Sequence, residues 1–465
     1  MDDKKKKFQF PHVYILLIVI TAIMAIFTWI VPAGQYTMVE GPGGRMVPDP
    51  NSFEYISQTP IGFFELASSI PRGMVDSAFI IFFIFIIGGV FHVVNATGAI
   101  EAGLGRLAKS LGNAKLLMIP IMMTAFALCG ATFGMSEETL PFIPILIALT
   151  LALKFDSITG VAVVSVGAAV GFTSGFLNPF TVGVAQGISE LPLFSAMEFR
   201  IVIFVVMLTV SIIFVMRHAL KVMKNPELSP VYELDKSRDN LLDLNDLQEF
   251  TGRRKLILLV LLGTIGMLIY GVMRLDWYIE ELSALFLIMG FLAALIGGLG
   301  LNGFGSKLAE GMAGIAGGAI IVGFARAIVL VMSDGNILHT LLYVVSSGLS
   351  QVPAMASAAG MLVFQSLLNF LVPSGSGQAA VTMPIMAPLA DLVGVTRQTA
   401  VIAFQMGDGI SNIFSPTVGS FMAGLAIAKV QWNTWAKWFL PLLGLHYLLA
   451  VIFVIIAQAI QLGPF

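Results

Sequence analysis

Glu137 and Glu138 stand side by side inside a long apolar stretch of this 465-residue chain. A charge in a hydrocarbon setting is costly unless it is paired or reached by water, so acids there need a reason. Two adjacent carboxylates suit a cationic group, a Na⁺ ion or a transferable proton; the plainer alternative is that one of them caps the half-helix that follows. Asp408 is the third acid of this kind. Arg326, in Gly323-Phe324-Ala325-Arg326, is a basic residue in mid-span. It could meet a substrate carboxylate, although a structural ion pair with a buried acid is the reading its position favours.

These acids sit at or near matched interruptions. Gly134-Met135-Ser136-Glu137-Glu138-Thr139-Leu140-Pro141 and Gly377-Gln378-Ala379-Ala380-Val381-Thr382-Met383-Pro384 place Gly, Thr and Pro at the same relative positions. Each is followed further along by a second break, Ser174-Gly175-Phe176-Leu177-Asn178-Pro179 and Ser411-Asn412-Ile413-Phe414-Ser415-Pro416. Irregular backbone at membrane depth persists only where protein or a water-filled cavity satisfies its polar groups, so paired breaks point to a solute site at a repeat interface. Exposed N–H groups at a half-helix start favour an anion, and loop carbonyls favour a cation. The candidate ligands are Thr132, Ser136, Glu137, Glu138 and Thr139 on the first hairpin and Ser374, Ser376, Gln378 and Thr382 on the second. The later breaks add Ser174, Asn178 and Thr181 on one side and Asp408, Ser411, Asn412, Ser415 and Thr417 on the other.

The bland reading is that these hydroxyls only satisfy unwound backbone. It is weaker for Asn178 and Asn412, which sit at the breaks, because Asn178-Pro179 is a natural unwinding point. Ser174, Asn178, Ser411 and Asn412 form the expected Na⁺ site, while a buried carboxylate suits H⁺ and an exchanger needs neither. No other metal is expected: the five histidines fall mostly near span ends, and Cys129 is the single cysteine. No cofactor or nucleic-acid partner is implied. The sequence shows no P-loop, Ser-His-Asp order or zinc motif, so neither an ATP-driven pump nor a membrane hydrolase has support.

The elements that must position these residues are membrane helices. With 57% hydrophobic and 11% charged residues and a mean hydropathy of +0.92, the chain falls in the membrane class. Apolar runs of about 18 to 25 residues are long enough to cross as helices. The expected architecture is all-α and polytopic, with about nine spans, two re-entrant helical hairpins and two broken helices. Spans lie near 12–31, 76–94, 199–217, 256–273, 281–300, 311–332 and 437–459. Hairpins occupy 115–154 and 352–395, and broken spans 157–187 and 398–428. A polar loop fills 33–72, interfacial stretches 95–113 and 335–351 precede the hairpins, and Trp432, Trp435 and Trp438 form an aromatic belt.

Residues 1–216 form an N-terminal repeat, 217–255 a cytoplasmic linker, and 256–465 a C-terminal inverted repeat. Lys4 to Lys7 keep the N-terminus in the cytoplasm, and the first span is too long for a cleaved signal peptide. This parity puts Arg45, Arg72, Arg200, Arg274 and Arg397 outside and leaves most of the 25 basic residues inside. Within the repeat, Thr97-Gly98-Ala99-Ile100 matches Asp334-Gly335-Asn336-Ile337, and Ser174 and Pro179 match Ser411 and Pro416 at the same separation.

Together with Phe10-Pro11-His12 and Ile30-Val31-Pro32-Ala33-Gly34-Gln35-Tyr36, these motifs resemble the YfcC-type members of the C4-dicarboxylate anaerobic carrier family, within the ion transporter superfamily. The resemblance covers nearly the whole chain. It implies a secondary carrier of the bacterial inner membrane with two opposed hairpins, often a homodimer in which a transport domain moves against a scaffold. Relatives are assigned to C4-dicarboxylates, to basic amino acids by arginine/ornithine exchange, or to nothing. Dicarboxylate sites of the superfamily typically use Ser-Asn-Thr tips without acids, and Glu137-Glu138 departs from that pattern. The sequence therefore leans towards an amino acid, cationic in type, over a C4-dicarboxylate; a channel or scaffold is a distant alternative.

Overall fold

The computed structural model describes residues 13–40, 46–49, 51–100, 102–103, 106, 112–132, 134–238, 249–275, 277 and 279–463. Lys4 to Lys7, Arg45, Glu101 and Lys109, on which parts of the orientation and interfacial-helix expectations rest, lie outside them. The described chain is almost entirely helical. Continuous apolar runs give helix α1 (Val13–Ile30), α3 (Ala78–Ala96), α8 (Met197–Lys224), α10 (Gly252–Arg274), α11 (Ile279–Gly297), α12 (Gly300–Asp334) and α18 (Trp432–Ala459). Among the described residues, five helices are long and apolar enough to cross a membrane, or six when the two segments of α12, bent by 41°, count as one.

Helix α12 starts well before the expected span 311–332. The expected polar loop 33–72 holds two small antiparallel ladders, Gly34–Gln35 with Glu54–Tyr55 and Met38–Glu40 with Met46–Pro48. It then gives way to α2 (Phe63–Asp76), which the density of Gly and Pro conceals in the sequence. Glu65 makes that helix possible by accepting the Gly62 N–H at 2.7 Å, and the helix carries Pro71 in its interior.

Both sequences expected to form hairpins are split pairs of helices. In the first, α4 (Met118–Thr132) ends, the chain makes one 3₁₀ turn at Glu137–Thr139, and α5 (Phe142–Ala152) follows. In the second, α13 (Leu338–Leu349) precedes α14 (Ala354–Asn369), and α15 (Gly375–Val393) begins after a break at Phe370–Ser374. The motif Gly377–Pro384 was expected to interrupt the second pair, yet it lies inside α15. Ser374 caps that helix by accepting the Gly377 N–H, so the helix nucleates upstream of the motif and carries Pro384 and Pro388 within it.

The later breaks fall where the sequence places them. Helix α6 (Ser157–Thr173) stops at Ser174 and resumes in a π turn at Pro179–Gly183 and the short α7 (Val184–Ile188). Helix α16 (Arg397–Ser411) stops at Asn412 and α17 (Gly419–Ile427) follows.

Packing sorts the helices into two sets. In one, α4 and α5 pack on α6, α14 and α15 pack on α16, and α6 meets α16. Small residues permit these approaches: a Cβ on Gly171 of α6 would lie 1.9 Å from the Ala127 carbonyl oxygen of α4, and one on Gly409 of α16 would lie 2.5 Å from Thr173. In the other set, α12 packs on α1, α2, α3 and α11, and its contact with α17 joins the two.

The charged linker is less separate than expected. Helix α8 runs on to Lys224, and the short α9 (Tyr232–Lys236) docks on the first set. Asp235 accepts the Ser157 N–H at 2.9 Å and Arg238 donates to the Ala428 carbonyl at 2.5 Å. Residues 239–248 lie outside the described chain.

Candidate substrate and ion site

The first split pair turns on Gly134, whose φ of +72° suits glycine. A Cβ there would sit 2.8 Å from Asn178 Oδ1, so the tip rests directly on the break in the neighbouring span. Asn178 is fully buried and does two jobs. Its Oδ1 accepts from the Phe180 and Thr181 N–H groups at 2.9 and 3.2 Å, capping the resumed helix, and its Nδ2 donates to the Gly130 carbonyl at 3.3 Å. Glu138 is buried at the tip and accepts the Ser136 N–H at 2.9 Å. Thr139 donates to the Ser136 carbonyl, and the Ser136 hydroxyl lies 3.3 Å from that of Ser420 on α17.

The second break is held from the opposite partner. Asn369, at the end of α14, donates through Nδ2 to the Asp408 carbonyl (3.1 Å), Ser411 Oγ (2.8 Å) and Asn412 Oδ1 (2.7 Å). Two exposed carbonyls of the break are met by indoles: Trp435 donates to Ile413 at 2.9 Å and Trp432 to Phe414 at 2.8 Å. Trp435 is fully buried, so it serves the break and not an aromatic belt. Ser415 and Thr417 pair with each other at 2.6 Å.

Several candidate hydroxyls follow the bland reading. Thr132, Ser174, Thr382 and Ser411 each donate to a carbonyl one turn back in their own helix, at 2.6 to 2.8 Å. Ser174 and Ser411 donate their protons this way, which leaves their oxygen lone pairs as acceptors, and Asn178 Oδ1 caps a helix. The unsatisfied buried oxygens lie elsewhere. Both carboxylate oxygens of Asp408, Oγ1 of Thr181, Oε1 of Gln378 and Oδ1 of Asn369 are buried without a hydrogen-bond partner. Asn412 lies beside Asp408 but turns its Oδ1 to Asn369, and neither Asp408 oxygen makes a hydrogen bond of ordinary geometry. A Cβ on Gly375, the first residue of α15, would lie 2.8 Å from Thr181 Cγ2 and 3.3 Å from Asp408 Oδ2, so these two flank one helix start. A carboxylate with the Thr181 side chain near the same helix start is the chemistry of a hard monovalent cation or, at the carboxylate, a proton.

A cavity of about 690 Å³ lies between the two helix sets. Its lining includes Ser136, Glu137 and Glu138 from the first tip, Ser374 and Ser376 from the start of α15, and Asn412 and Thr417 from the second break. The opposite wall carries Asp76 and Arg326, and Arg326 Nε donates to Asp76. The volume falls in the range of small-molecule sites, about 300 to 1,000 Å³. The structure thus gathers residues from the first interruption, the start of α15 and the second break around one space. Asn178, beside Gly134, and Thr181 and Asp408, beside Gly375, lie behind its wall.

Three residues escape a reading of the sequence. Asn369 has no motif around it, although a lone amide at the end of an apolar arm is a signal in hindsight. Asp76 looks like an acid at the mouth of the expected span 76–94 until α2 is recognised, which it ends. Arg200, expected outside, is 1% exposed in α8 and donates to Gln405 and Gln398 of α16. Gln405 passes the contact on to the Phe172 and Gly175 carbonyls at the first break. Gln398 and Gln405 share one face of α16, and that polar stripe in an apolar helix is the clue to a buried cation.

A family model described as C4-dicarboxylate anaerobic carrier (DcuC) matches residues 10–459. The chain is 35% identical to the Escherichia coli K12 protein named "Putative basic amino acid antiporter YfcC", over 97% of each chain. It is 28% identical, over 98% of each, to an uncharacterized protein of Haemophilus influenzae Rd. Among solved structures, the Alcanivorax borkumensis YdaH transporter is a neighbour at a TM-score of 0.44 and 16% identity, over 98% of this chain and 100% of that one. With apolar helices throughout and a family match along almost its whole length, this multi-pass membrane protein belongs to the C4-dicarboxylate anaerobic carrier family.

Proposed function

We propose that the chain is a secondary carrier that exchanges a small carboxylate-bearing solute, an amino acid with a cationic side chain, across the bacterial cytoplasmic membrane by alternating access. The observation that carries this reading is the cavity in which the Glu137 and Glu138 tip faces the start of α15 and the second break. Acids on the wall suit a cationic end, and a helix start suits a carboxylate. The split pairs act as re-entrant hairpins from opposite faces, within about nine spans and with a cytoplasmic N-terminus. The set built on α6 and α16 moves as the transport unit against the set built on α12, in a homodimer.

Asp408, with Thr181, Gln378 and Asn369, takes the coupling cation, Na⁺ or H⁺, behind the start of α15. The competing reading is a C4-dicarboxylate carrier; the family description and the Arg326 guanidinium at the cavity favour it.

Counterflow in proteoliposomes decides between them. Preloading with arginine or ornithine is expected to drive uptake of labelled arginine that saturates, with no stimulation by succinate or fumarate. Accumulation of succinate or fumarate with no amino-acid exchange would refute the amino-acid reading.

A further inference from the structure

Helices α2 and α12 are locked together at glycines. A Cβ on Gly73 would lie 2.3 Å from the Gly323 carbonyl oxygen, and one on Gly323 would lie 2.4 Å from Met74 Cγ, so neither position has room for a side chain. Almost one turn further along each helix stand Asp76 and Arg326, which the close crossing brings together.

The same two helices make a second ion pair, and the contrast is informative. Arg72 meets Asp334 through both terminal nitrogens, Nη1 at 2.5 Å and Nη2 at 3.3 Å, in the bidentate manner of a structural pair. Arg326 gives Asp76 only its Nε, and neither terminal nitrogen has a hydrogen bond among the described residues. Its side chain is 40% exposed and that of Asp76 is 44%, and both line the cavity. A guanidinium has five donors in a planar fork matched to a carboxylate, so the pair as built leaves the outer edge of that fork open to the cavity. A mid-span arginine held in this way is costly unless a ligand or water uses it.

We infer that Arg326 binds the carboxylate of the transported solute through its terminal nitrogens, with Asp76 as the positioning residue that holds Nε. The inference rests on the carrier reading and deepens it. The carboxylate of an amino acid lies between Arg326 and the start of α15, which line the same cavity, and its cationic end lies towards Glu137 and Glu138.

The test uses purified full-length protein and equilibrium binding of arginine against agmatine, its decarboxylated analogue. The wild type is expected to prefer arginine by about 100-fold, since agmatine forfeits the charge-assisted hydrogen bonds to the Arg326 guanidinium. Arg326→Gln should bring that ratio close to one by weakening arginine and sparing agmatine. Arg326→Lys, which keeps the charge and loses the fork, should lie between. A folded Arg326→Gln variant that keeps the wild-type preference would overturn the inference. Where Arg326→Gln does not fold, Asp76→Asn takes its place: it should weaken arginine several-fold and leave agmatine unchanged, and equal weakening of both is the refuting result.

Should arginine fail to bind while succinate binds, the amino-acid reading falls and the inference is scored on succinate. Arg326→Gln must then lose succinate binding at least tenfold, and retained affinity overturns it. A wild-type protein that binds neither solute refutes both.

Discussion

Asp408→Asn is the substitution with the sharpest expected outcome. Asp408 is 0% exposed, with Asn412 beside it but no hydrogen bond of ordinary geometry to either carboxylate oxygen, while Thr181, Asn369 and Gln378 each leave an oxygen unsatisfied. An isolated carboxylate at such a place would cost several kcal/mol after relaxation, which a bound cation or a proton removes. If Na⁺ is that cation, a concentration of about 100 times its dissociation constant stabilises the folded protein by about 2.7 kcal/mol. Asn keeps the shape and removes the charge, so the variant should no longer need the ion. In detergent, with choline replaced by Na⁺ at constant ionic strength, the wild-type unfolding midpoint should rise. Asp408→Asn should start near the Na⁺-bound wild-type value and stay there. An equal Na⁺-dependent rise in the variant would refute the reasoning. A wild-type midpoint indifferent to Na⁺, with a variant whose flux loses its pH dependence, moves the coupling ion to H⁺ at the same residue.

Asn178→Ala removes a cap on two N–H groups and a tie to the Gly130 carbonyl, a loss of about 1 to 3 kcal/mol. The expected result is a lower midpoint and abolished counterflow with the protein still in the membrane; wild-type flux would show that the first break is not part of the site. A pH test addresses Asp156, which caps α6 and receives His218 at 2.8 Å and Ser229 at 2.7 Å. Burial pushes this carboxyl up, but the hydrogen bonds from His218, Thr159 and Ser229 outweigh it and hold it below the usual carboxylate range. Its folded value is depressed, so its stabilisation is complete above the unfolded carboxyl pKa of about 3.9 and is lost as pH falls through the lower folded value. Asp156→Asn should therefore lower the midpoint at pH 7 and approach the wild type only below about pH 4, and a pH-independent difference would count against a carboxyl held below its usual range.

Much of this arrangement is legible in the residues because lipid leaves few options. Apolar length gives the helices, and the breaks at Ser174–Asn178 and Asn412–Thr417 follow from Asn, Ser and Pro where a helix would otherwise continue. What escapes is set by partners distant in sequence. The Gly, Thr and Pro of Gly377–Pro384 look like a break because their spacing copies Gly134–Pro141, yet Ser374 caps a helix that runs through them. The spacing cannot tell whether a proline lies at a break or within a helix. Likewise Ser174 and Ser411 each donate to a carbonyl of their own helix, and packing alone leaves Thr181 Oγ1 and Gln378 Oε1 without a hydrogen-bond partner. Arg200 resembles a loop charge until α16 supplies Gln398 and Gln405.

The acids of the two halves occupy different depths, and this assigns them different work on the proposed reading. Glu137 and Glu138 line the cavity, whereas Asp408 lies behind Gly375, the first residue of α15, whose neighbours Ser374 and Ser376 form the wall between. A cation at Asp408 places positive charge behind a helix start, and that raises the start's attraction for an anionic group on the cavity side. Cation and substrate carboxylate should therefore bind cooperatively, and linkage requires each to raise the other's affinity by the same factor. A coupling of about 1 to 3 kcal/mol corresponds to a factor of about 5 to 150. Titrating substrate at several Na⁺ concentrations, and Na⁺ at several substrate concentrations, measures both factors. Equal factors above one are expected for the wild type, and a factor of one is expected for Asp408→Asn. Independent affinities in the wild type would mean that the two sites do not communicate through the start of α15.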